Sequence, residues 1–203
     1  MPGTQPSARR RLRAADRRAQ LLDVARKAFG NSGFHGVSME DVAKEAGVTK
    51  PILYDHFPSK KELYLELLDE DLSALHESVK TALDSPVGNR ERIRRSFRAY
   101  FDFVDEQADG FRLLMQETLG AERDFRERVA RTRDQILGEV ADLIVRESRG
   151  QLDRAHAETV ALALIGMVET VAQRAPGGPA DERRAAVETL VQLAWRGITN
   201  LGD

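Results

Sequence analysis

The sequence predicts an all-α protein of about nine helices. Apolar residues recur at helical spacing along nearly the whole chain, no stretch alternates as a β-strand does, and Gly and Pro residues separate the apolar stripes. Arg, Asp and Glu flank every stripe, as expected for helices that bury one face. The predicted helices cover approximately residues 10–31, 39–46, 50–56, 60–83, 88–106, 109–117, 122–148, 152–174 and 180–200.

Each predicted helix lies between its own breakers. The first carries the stripe Leu21, Leu22, Ala25, Ala28 and Phe29 and ends in a segment that contains Gly30, Gly33 and Gly36. The second and third are short and meet at Gly47, and Pro58 separates the third from the fourth. The longer stripes are Leu63, Leu67, Leu72, Leu75, Val79 and Leu83; Ile93, Phe97, Phe101 and Val104; Phe125, Val129, Ile136, Val140 and Leu143; Val160, Leu164, Val168 and Val171; and Val187, Leu190, Ala194 and Ile198.

Composition excludes several kinds of site. The chain of 203 residues has no cysteine, which removes disulfides, thiolate metal ligands and cysteine nucleophiles. Its 4 histidines are scattered, and neither a Gly-rich phosphate loop nor a G-x-S-x-G motif occurs, so we expect no enzyme activity, catalytic residues, metal or cofactor. No apolar run approaches the ~18 residues that span a bilayer, and none follows the basic start. We therefore expect a cytoplasmic protein with no membrane segment or secretory signal.

Charge is distributed unevenly along the chain. Residues 1–64 carry 12 Lys and Arg against 7 Asp and Glu, a net charge of +5, whereas the remainder carries 19 against 26, a net charge of −7. A basic first part joined to an acidic body favours a module that faces a polyanion such as nucleic acid. Because basic termini are common, charge alone leaves this interpretation open.

One stretch predicts two short helices joined by a tight turn. Ser38 and Asp41 have the spacing of a capping box, and Gly47 ends the first helix. We expect the Thr49 side chain to cap the second helix, with Pro51 in its first turn, where a missing N–H costs nothing. The residues expected at the junction are small or apolar: Val42, Ala43, Val48 and Leu53. This arrangement fits a helix-turn-helix that presents its second helix to the DNA major groove, although ordinary helical hairpins share Ala-x-x-x-Gly-Val.

The second of these helices, about residues 50–56, has one apolar side and one small, polar side. The polar side comprises Thr49, Lys50, Pro51, Tyr54 and His56. Such a face is poor material for a core and suits a groove, so it favours the helix-turn-helix over the ordinary hairpin.

The same region resembles the TetR family of bacterial transcriptional regulators over about residues 16–76. The residues that carry the resemblance stand at the family's spacing: Ala28-Phe29, Gly33-Phe34, Gly36-Val37-Ser38, Asp41-Val42-Ala43, Ala46-Gly47-Val48-Thr49-Lys50, Leu53-Tyr54, His56-Phe57 and Lys60-Lys61-Glu62-Leu63. Pro51 departs from the small residue usual at its position, so no operator sequence carries over. The resemblance implies a helix-turn-helix DNA-binding domain of three helices at 16–76, then a helical ligand-binding and dimerisation domain at 77–203.

The resemblance also implies roles for individual residues. The residues that it implies contact phosphates or helix ends are Ser38, Thr49, Tyr54, His56 and Lys60. The residues that it implies face base edges are Lys50 and Pro51, assisted by Thr49 and Tyr54. Residues 1–15 form a basic arm, and the arginines from Arg9 to Arg18 either enter the minor groove or belong to a solvated tail.

A helix-turn-helix of this size requires a two-fold dimer on a palindromic, double-stranded operator. The predicted helices 152–174 and 180–200 are the candidates for the dimer interface, because the first is apolar on more than one face and rich in Ala and Gly. The alternative is that this helix is buried wholly within one chain.

The family resemblance makes a ligand cavity in the second part an expectation, whereas spacing alone fits an ordinary core equally well. The candidate lining residues are Phe97, Tyr100, Phe101, Val104, Phe111, Leu114, Met115, Phe125, Met167 and Val171, with Glu117, Thr118, Thr170 or Gln173 as polar contacts. This lining favours a small apolar or amphipathic effector.

The expected function is therefore that of a sequence-specific transcriptional regulator, a repressor by family default. Its effector would release it from the operator by favouring a conformation in which the helix over 60–83 has swung. The alternatives are a ligand-independent DNA-binding or architectural protein with a filled core, and a helical enzyme. Asp69, Glu70 and Asp71 form an acidic cluster, but adjacent residues point around a helix, so we interpret them as a solvated face.

Overall fold

The computed structural model describes residues 14–110, 112, 122–174 and 179–198. Its helices, numbered in chain order, are α1 Ala14–Gly36, α2 Met39–Glu45, α3 Lys50–His56, α4 Lys60–Leu83, α5 Asn89–Glu106, α6 Arg123–Glu147, α7 Arg154–Ala172 and α8 Ala180–Ile198. No strand occurs in these ranges, which confirms the all-α prediction. Most of the helix predicted over 109–117, and the candidates Phe111, Leu114, Met115, Glu117 and Thr118, lie outside the described residues, as do residues 1–13.

The chain divides into two compact units, Met1–Leu67 and Leu68–Asp203. Helix α4 contains the division, so its first turns belong to the first unit and its remaining turns to the second. The boundary predicted between residues 76 and 77 falls in the same helix. A single helix thus runs from one unit into the other.

Helix α1 supports the first unit and is interrupted close to its predicted end. Leu21, Ala25 and Phe29 are fully buried along one face. The helix is broken close to the predicted end at residue 31, because Gly33 has a non-helical conformation (φ 73°), and helical backbone resumes after it as far as Gly36. The ring of Tyr64 in α4 packs against Phe29 with centroids 5.1 Å apart, which ties the two helices into one core.

The second unit is built on close packing between α6 and α7. Ala141, Ala157 and Ala161 are fully buried where these helices meet, and small side chains there allow the backbones to approach. Helix α5 packs against both α7 and α8. Arg94 of α5 donates two hydrogen bonds to the Glu188 carboxylate of α8, a bidentate pair with Nε 2.6 Å from Oε1 and Nη2 3.0 Å from Oε2.

The acidic cluster on α4 is not a solvated face throughout. Asp71 is only 1% exposed, and a Cβ built on Gly110 would come within 2.6 Å of its Oδ2. The interpretation of a solvated face is therefore wrong for Asp71, because the helix turns this carboxylate toward residues that follow α5. No group of His, Asp and Glu among the described residues has the geometry of a metal site.

Helix α7 is long and apolar enough, by length and composition alone, to cross a membrane. One such helix is weak evidence for a membrane span, because the core helix of a globular protein has the same length and composition. Ala157, Ala161, Leu164 and Val168 are buried inside the second unit, as expected for a core helix that also presents an apolar face outward.

Candidate functional site

The turn before α2 is closed by the predicted capping box. The backbone N–H of Asp41 donates to Ser38 Oγ over 3.2 Å, and Asp41 Oδ2 accepts from the Ser38 backbone N–H over 2.9 Å. The same carboxylate accepts from the Ser38 hydroxyl over 2.6 Å. These hydrogen bonds lower the pKa of Asp41 below its usual value, and the bond from the Ser38 hydroxyl has the largest effect. The box fixes where α2 begins.

The turn between α2 and α3 depends on Gly47. Its φ is +66°, in the left-handed region, and nothing lies within 4 Å of a Cβ built there. The glycine is therefore needed for backbone conformation rather than for space. The Val48 N–H donates back to the Ala43 carbonyl over 3.0 Å, which closes the end of α2 as predicted.

Thr49 occupies the N-cap position of α3, but its side chain makes no capping hydrogen bond. The prediction of a side-chain cap was wrong. Pro51 is the second residue of the helix and has no N–H, so it removes one of the two donors that an N-cap side chain normally engages. Helix α3 is instead held by Leu53, which is fully buried.

The outer face of α3 is exposed. Tyr54 is 47% exposed and Ile52 is 41% exposed, and Thr49, Lys50 and Pro51 are exposed beside them. Sequence reasoning missed Ile52, because an isoleucine next to Leu53 has the pattern of a core residue. A face this open on a helix this short favours the helix-turn-helix interpretation over an ordinary hairpin, which would bury both helices.

Lys50 is paired with a residue that the sequence did not single out. Its Nζ lies 2.7 Å from Oε2 of Glu40, which stands in the first turn of α2. The hydrogen bond and charge of Glu40 raise the pKa of Lys50, so the ammonium charge is retained. The only sequence signal for this pair is the opposite charge at the start of each short helix.

The remaining candidates are partly engaged within the first unit. Lys60 Nζ donates to the carbonyls of Phe34 over 2.9 Å and Val37 over 3.0 Å, and it lies 4.4 Å from the Phe34 ring centroid. This leaves one of its three N–H donors for a phosphate. His56 is half-buried, and Ser38 is exposed next to its capping bonds.

Arg18 belongs to the scaffold of the first unit rather than to a free arm. Its guanidinium pairs with Glu66 and lies 4.5 Å from the ring centroid of Phe57, directly after α3. Arg17 and Arg18 both lie in α1, whereas Arg9, Arg10, Arg11 and Arg13 lie outside the described residues.

The second unit contains a cavity of about 390 Å³. This volume falls within the range of small-molecule sites. Its apolar walls come mainly from the last turns of α4 and from α5, α6 and α7: Leu72, Leu75, Val79, Ile93, Phe97, Val129, Ile136, Val140, Leu143, Ile144, Leu164 and Val168.

Only Phe97 and Tyr100 of the described lining candidates contact this cavity. Phe101, Val104 and Phe125 are buried elsewhere, and Met167, Thr170, Val171 and Gln173 do not line it. The stripe Ile93, Phe97, Phe101 and Val104 was visible in the sequence, but which turn of each helix leaves a gap depends on tertiary packing.

Polar residues stand at both ends of the cavity. At one end, the Arg92 Nη1 donates to Asn89 Oδ1 over 2.6 Å and to Glu147 Oε1 over 3.3 Å. The pKa of Glu147 is lowered by its hydrogen bond from Asn89 and by Arg92. These residues were absent from the sequence-based candidates, because an Arg or Glu at the edge of a stripe has the pattern of a solvated face.

At the other end, Tyr100 is buried and Glu169 is partly buried. Burial raises the pKa of both groups above their usual values. Arg133 Nη2 lies 2.8 Å from Glu169 Oε2 and partly opposes the shift of that carboxyl. The cavity therefore has an apolar middle between two polar ends of different character.

Comparison with known proteins assigns both units. Residues 21–67 match the family model described as bacterial regulatory proteins of the tetR family, and residues 89–197 match the tetracyclin repressor-like C-terminal domain. The chain is 35% identical over 191 residues to the HTH-type transcriptional activator FasR of Mycolicibacterium smegmatis, covering 94% of this chain and 87% of the relative.

Solved structures agree with the family models. A TetR-like transcriptional regulator from Rhodococcus sp. RHA1 has a TM-score of 0.80 at 32% identity and covers 94% of this chain and 100% of its own. AibR in complex with isovaleryl coenzyme A and operator DNA has a TM-score of 0.72 at 18% identity, covering 87% of this chain and 97% of its own, and shows likeness of fold. The chain belongs to the TetR family of DNA-binding transcriptional regulators.

Proposed function

We propose that this regulator binds a palindromic, double-stranded operator as a homodimer, with α3 of each copy in the major groove. The observation that carries the proposal is the exposed face of α3, which is held rigid by buried Leu53 and presents Tyr54 and Lys50 outward. A rigid, exposed helix with a polar face is what recognition through base edges requires.

The residues on and around this face have two roles: some position the protein on the DNA backbone, and others recognise the bases. Lys50 and Pro51, with Thr49 and Tyr54, face base edges, and Ser38, His56, Lys60, Thr49 and Tyr54 contact phosphates or helix ends. Lys60 keeps a single donor for this purpose, because Phe34 and Val37 take the other two. Lys50 exchanges its exposed bond with Glu40 for a contact to DNA, which costs little because an exposed ion pair contributes little stability.

The dimer forms through α7 and α8. Leu162 on α7 is 50% exposed and Leu193 on α8 is 61% exposed, the two most exposed of the large apolar residues among the described positions. Burying such residues against a second copy removes apolar surface from water, and the small residues of α7 allow close approach.

An apolar or amphipathic effector occupies the cavity and lowers operator affinity, so the protein acts as a repressor that the effector releases. The cavity supports this proposal over a ligand-independent protein with a filled core. AibR, which shares the fold, has been solved in complex with isovaleryl coenzyme A. Helix α4 supplies cavity walls and begins in the first unit, so a shift of α4 is the proposed link between ligand and DNA. The protein acts in the cytoplasm, where its operator lies.

Activation of transcription is the second candidate, favoured by the name of the 35% identical relative FasR. A reporter gene behind the operator distinguishes the two: deletion of the regulator raises expression if it represses and lowers expression if it activates.

Selection of genomic fragments bound by the purified protein, followed by titration of the selected duplex, tests the function itself. We expect a palindromic site and an effector that lowers operator affinity, with operator weakening effector binding by the same factor. Binding of every duplex with equal affinity would contradict operator recognition.

A further inference from the structure

Arg92 lines one end of the cavity and has a hydrogen-bonding edge that no described residue uses. Its Nη1 is committed to Asn89 and Glu147, whereas its Nε is buried without a partner, and neither Nε nor Nη2 donates to any described residue. A buried, unsatisfied donor beside a cavity requires an explanation such as a bound ligand or water. The Nε and Nη2 groups form the fork of a guanidinium that accepts a carboxylate or phosphate through two parallel hydrogen bonds.

The surroundings hold this guanidinium in one orientation. Asn89 and Glu147 engage its opposite side, and Asn89 Nδ2 also donates to Glu147 Oε2 over 3.2 Å. The Arg92 side chain is only 15% exposed, so its contacts are weakly screened by solvent. An acceptor that reaches the unused edge of Arg92 therefore finds a preorganised partner.

The other end of the cavity is the poorer anchor for an anion, because its guanidinium is more exposed to water: the Arg133 side chain is 45% exposed, against 15% for Arg92. Glu169 is partly buried there and already uses Arg133, and Tyr100 stands beside it. Between the two ends the walls are apolar, and the register from Asn89 to Tyr100 on α5 and from Glu147 to Arg133 on α6 gives a length of roughly 15–20 Å at 1.5 Å per residue. The cavity is therefore suited to a chain with one anionic end.

We propose that the effector is an alkyl-chain molecule with a carboxylate or phosphate head, that the Nε and Nη2 groups of Arg92 bind this head, and that the tail runs toward Tyr100. This inference deepens the effector site proposed above and rests on it for the regulatory consequence, but ligand binding is measured on the free protein. Arg92 thus sets the orientation and the charge of the ligand.

Isothermal titration with three probes of equal chain length, below their micellar concentrations, tests the inference. Decanoate and decyl phosphate carry the two candidate heads, and 1-decanol is the neutral control. We expect both anions to bind the wild-type protein about tenfold or more tighter than 1-decanol, in line with charge-assisted hydrogen bonds. The tighter of the two anions identifies the source of the head.

Variants separate the head from the cavity. Arg92→Met should remove the preference for anions and leave 1-decanol affinity unchanged, and Arg92→Lys, which keeps the charge without the fork, should retain part of the preference. Arg133→Met is the matched control at the other end and should keep the preference. If circular dichroism shows that Arg92→Met does not fold, the test is the anion preference of Arg92→Lys compared with that of the wild-type protein.

Three outcomes would overturn the inference: equal binding of all three probes to wild type, equal loss of all three in the Arg92 variants, or loss of the anion preference in Arg133→Met instead. Operator binding without any probe is measured in parallel. Failure of that binding with intact ligand selectivity contradicts the proposed function and leaves the ligand assignment standing.

Discussion

Lys50 Nζ lies 2.7 Å from Oε2 of Glu40, so the first residue of α3 is tied to the first turn of α2 across the helix-turn-helix. Both side chains are largely exposed, and the pair is therefore a small contribution to stability. The pair matters more for DNA binding, because Glu40 partly neutralises the Lys50 ammonium that α3 would present to a duplex.

Replacing Glu40 with Gln should raise the affinity for any duplex by about two- to tenfold and steepen its dependence on salt, because a negative charge is removed beside the phosphates and Lys50 is released. Fluorescence anisotropy with operator and unrelated DNA at several salt concentrations measures the change. Glu77→Gln on α4, outside the first unit, is the charge-matched control. Weaker binding in Glu40→Gln would mean that the carboxylate supports the bound state.

Gly47→Ala should destabilise the protein by about 1–2 kcal/mol, because a left-handed φ strains any residue with a Cβ. Since nothing lies within 4 Å of that Cβ, Gly47→Asn should cost less, as asparagine tolerates this conformation. Chemical denaturation of the two variants supplies the comparison. Equal losses in the two variants would contradict the assignment of the cost to the left-handed backbone conformation.

Leu193→Glu should convert the proposed dimer to a monomer and lose operator binding without unfolding the chain, because a charge would enter the proposed α7–α8 interface. Sedimentation and circular dichroism check mass and fold together. Gln192→Glu, an exposed neighbour on α8, adds the same charge and serves as the control. A Leu193→Glu protein that remains dimeric would move the interface elsewhere.

The stability of the protein should contain a pH-dependent contribution from Glu169. Burial raises the pKa of this carboxyl in the folded state above its ordinary value of 4.5, so the folded protein binds the proton more tightly than the unfolded chain. Its contribution favours folding below pH 4.5 and is lost as the pH rises through the folded pKa.

Glu169→Gln should therefore gain stability relative to wild type as the pH rises above 4.5. Thermal melts of both proteins across this range give the difference. A constant difference at every pH would show that Glu169 does not titrate on unfolding.

Local signals in the sequence sufficed for the helix-turn-helix. The capping box at Ser38 and the left-handed turn at Gly47 depend on near neighbours in the chain, and both predictions are confirmed. The Thr49 cap failed for a reason that is also local, since Pro51 lacks the donor. The family resemblance added the assignment to TetR regulators, which the comparisons confirm.

The cavity could not be located in the same way. Phe97 and Phe101 belong to one stripe of α5, yet only Phe97 borders the gap, because the gap depends on how α6 and α7 pack against that helix. The unused edge of Arg92 depends on the positions of Asn89 and Glu147, which lie far apart in sequence. Such tertiary relationships leave no pattern in a single sequence.

The most direct test of operator recognition by α3 is titration of a selected palindromic duplex with wild-type protein, Lys50→Ala and Tyr54→Ala, with Lys27→Ala on α1 as a charge-matched control. We expect two chains per duplex and, for the two α3 variants, loss of specific binding at moderate salt, since each contact contributes about 1–3 kcal/mol and occurs twice. All four proteins should melt at similar temperatures. Retention of specific operator binding by both α3 variants would contradict recognition through α3.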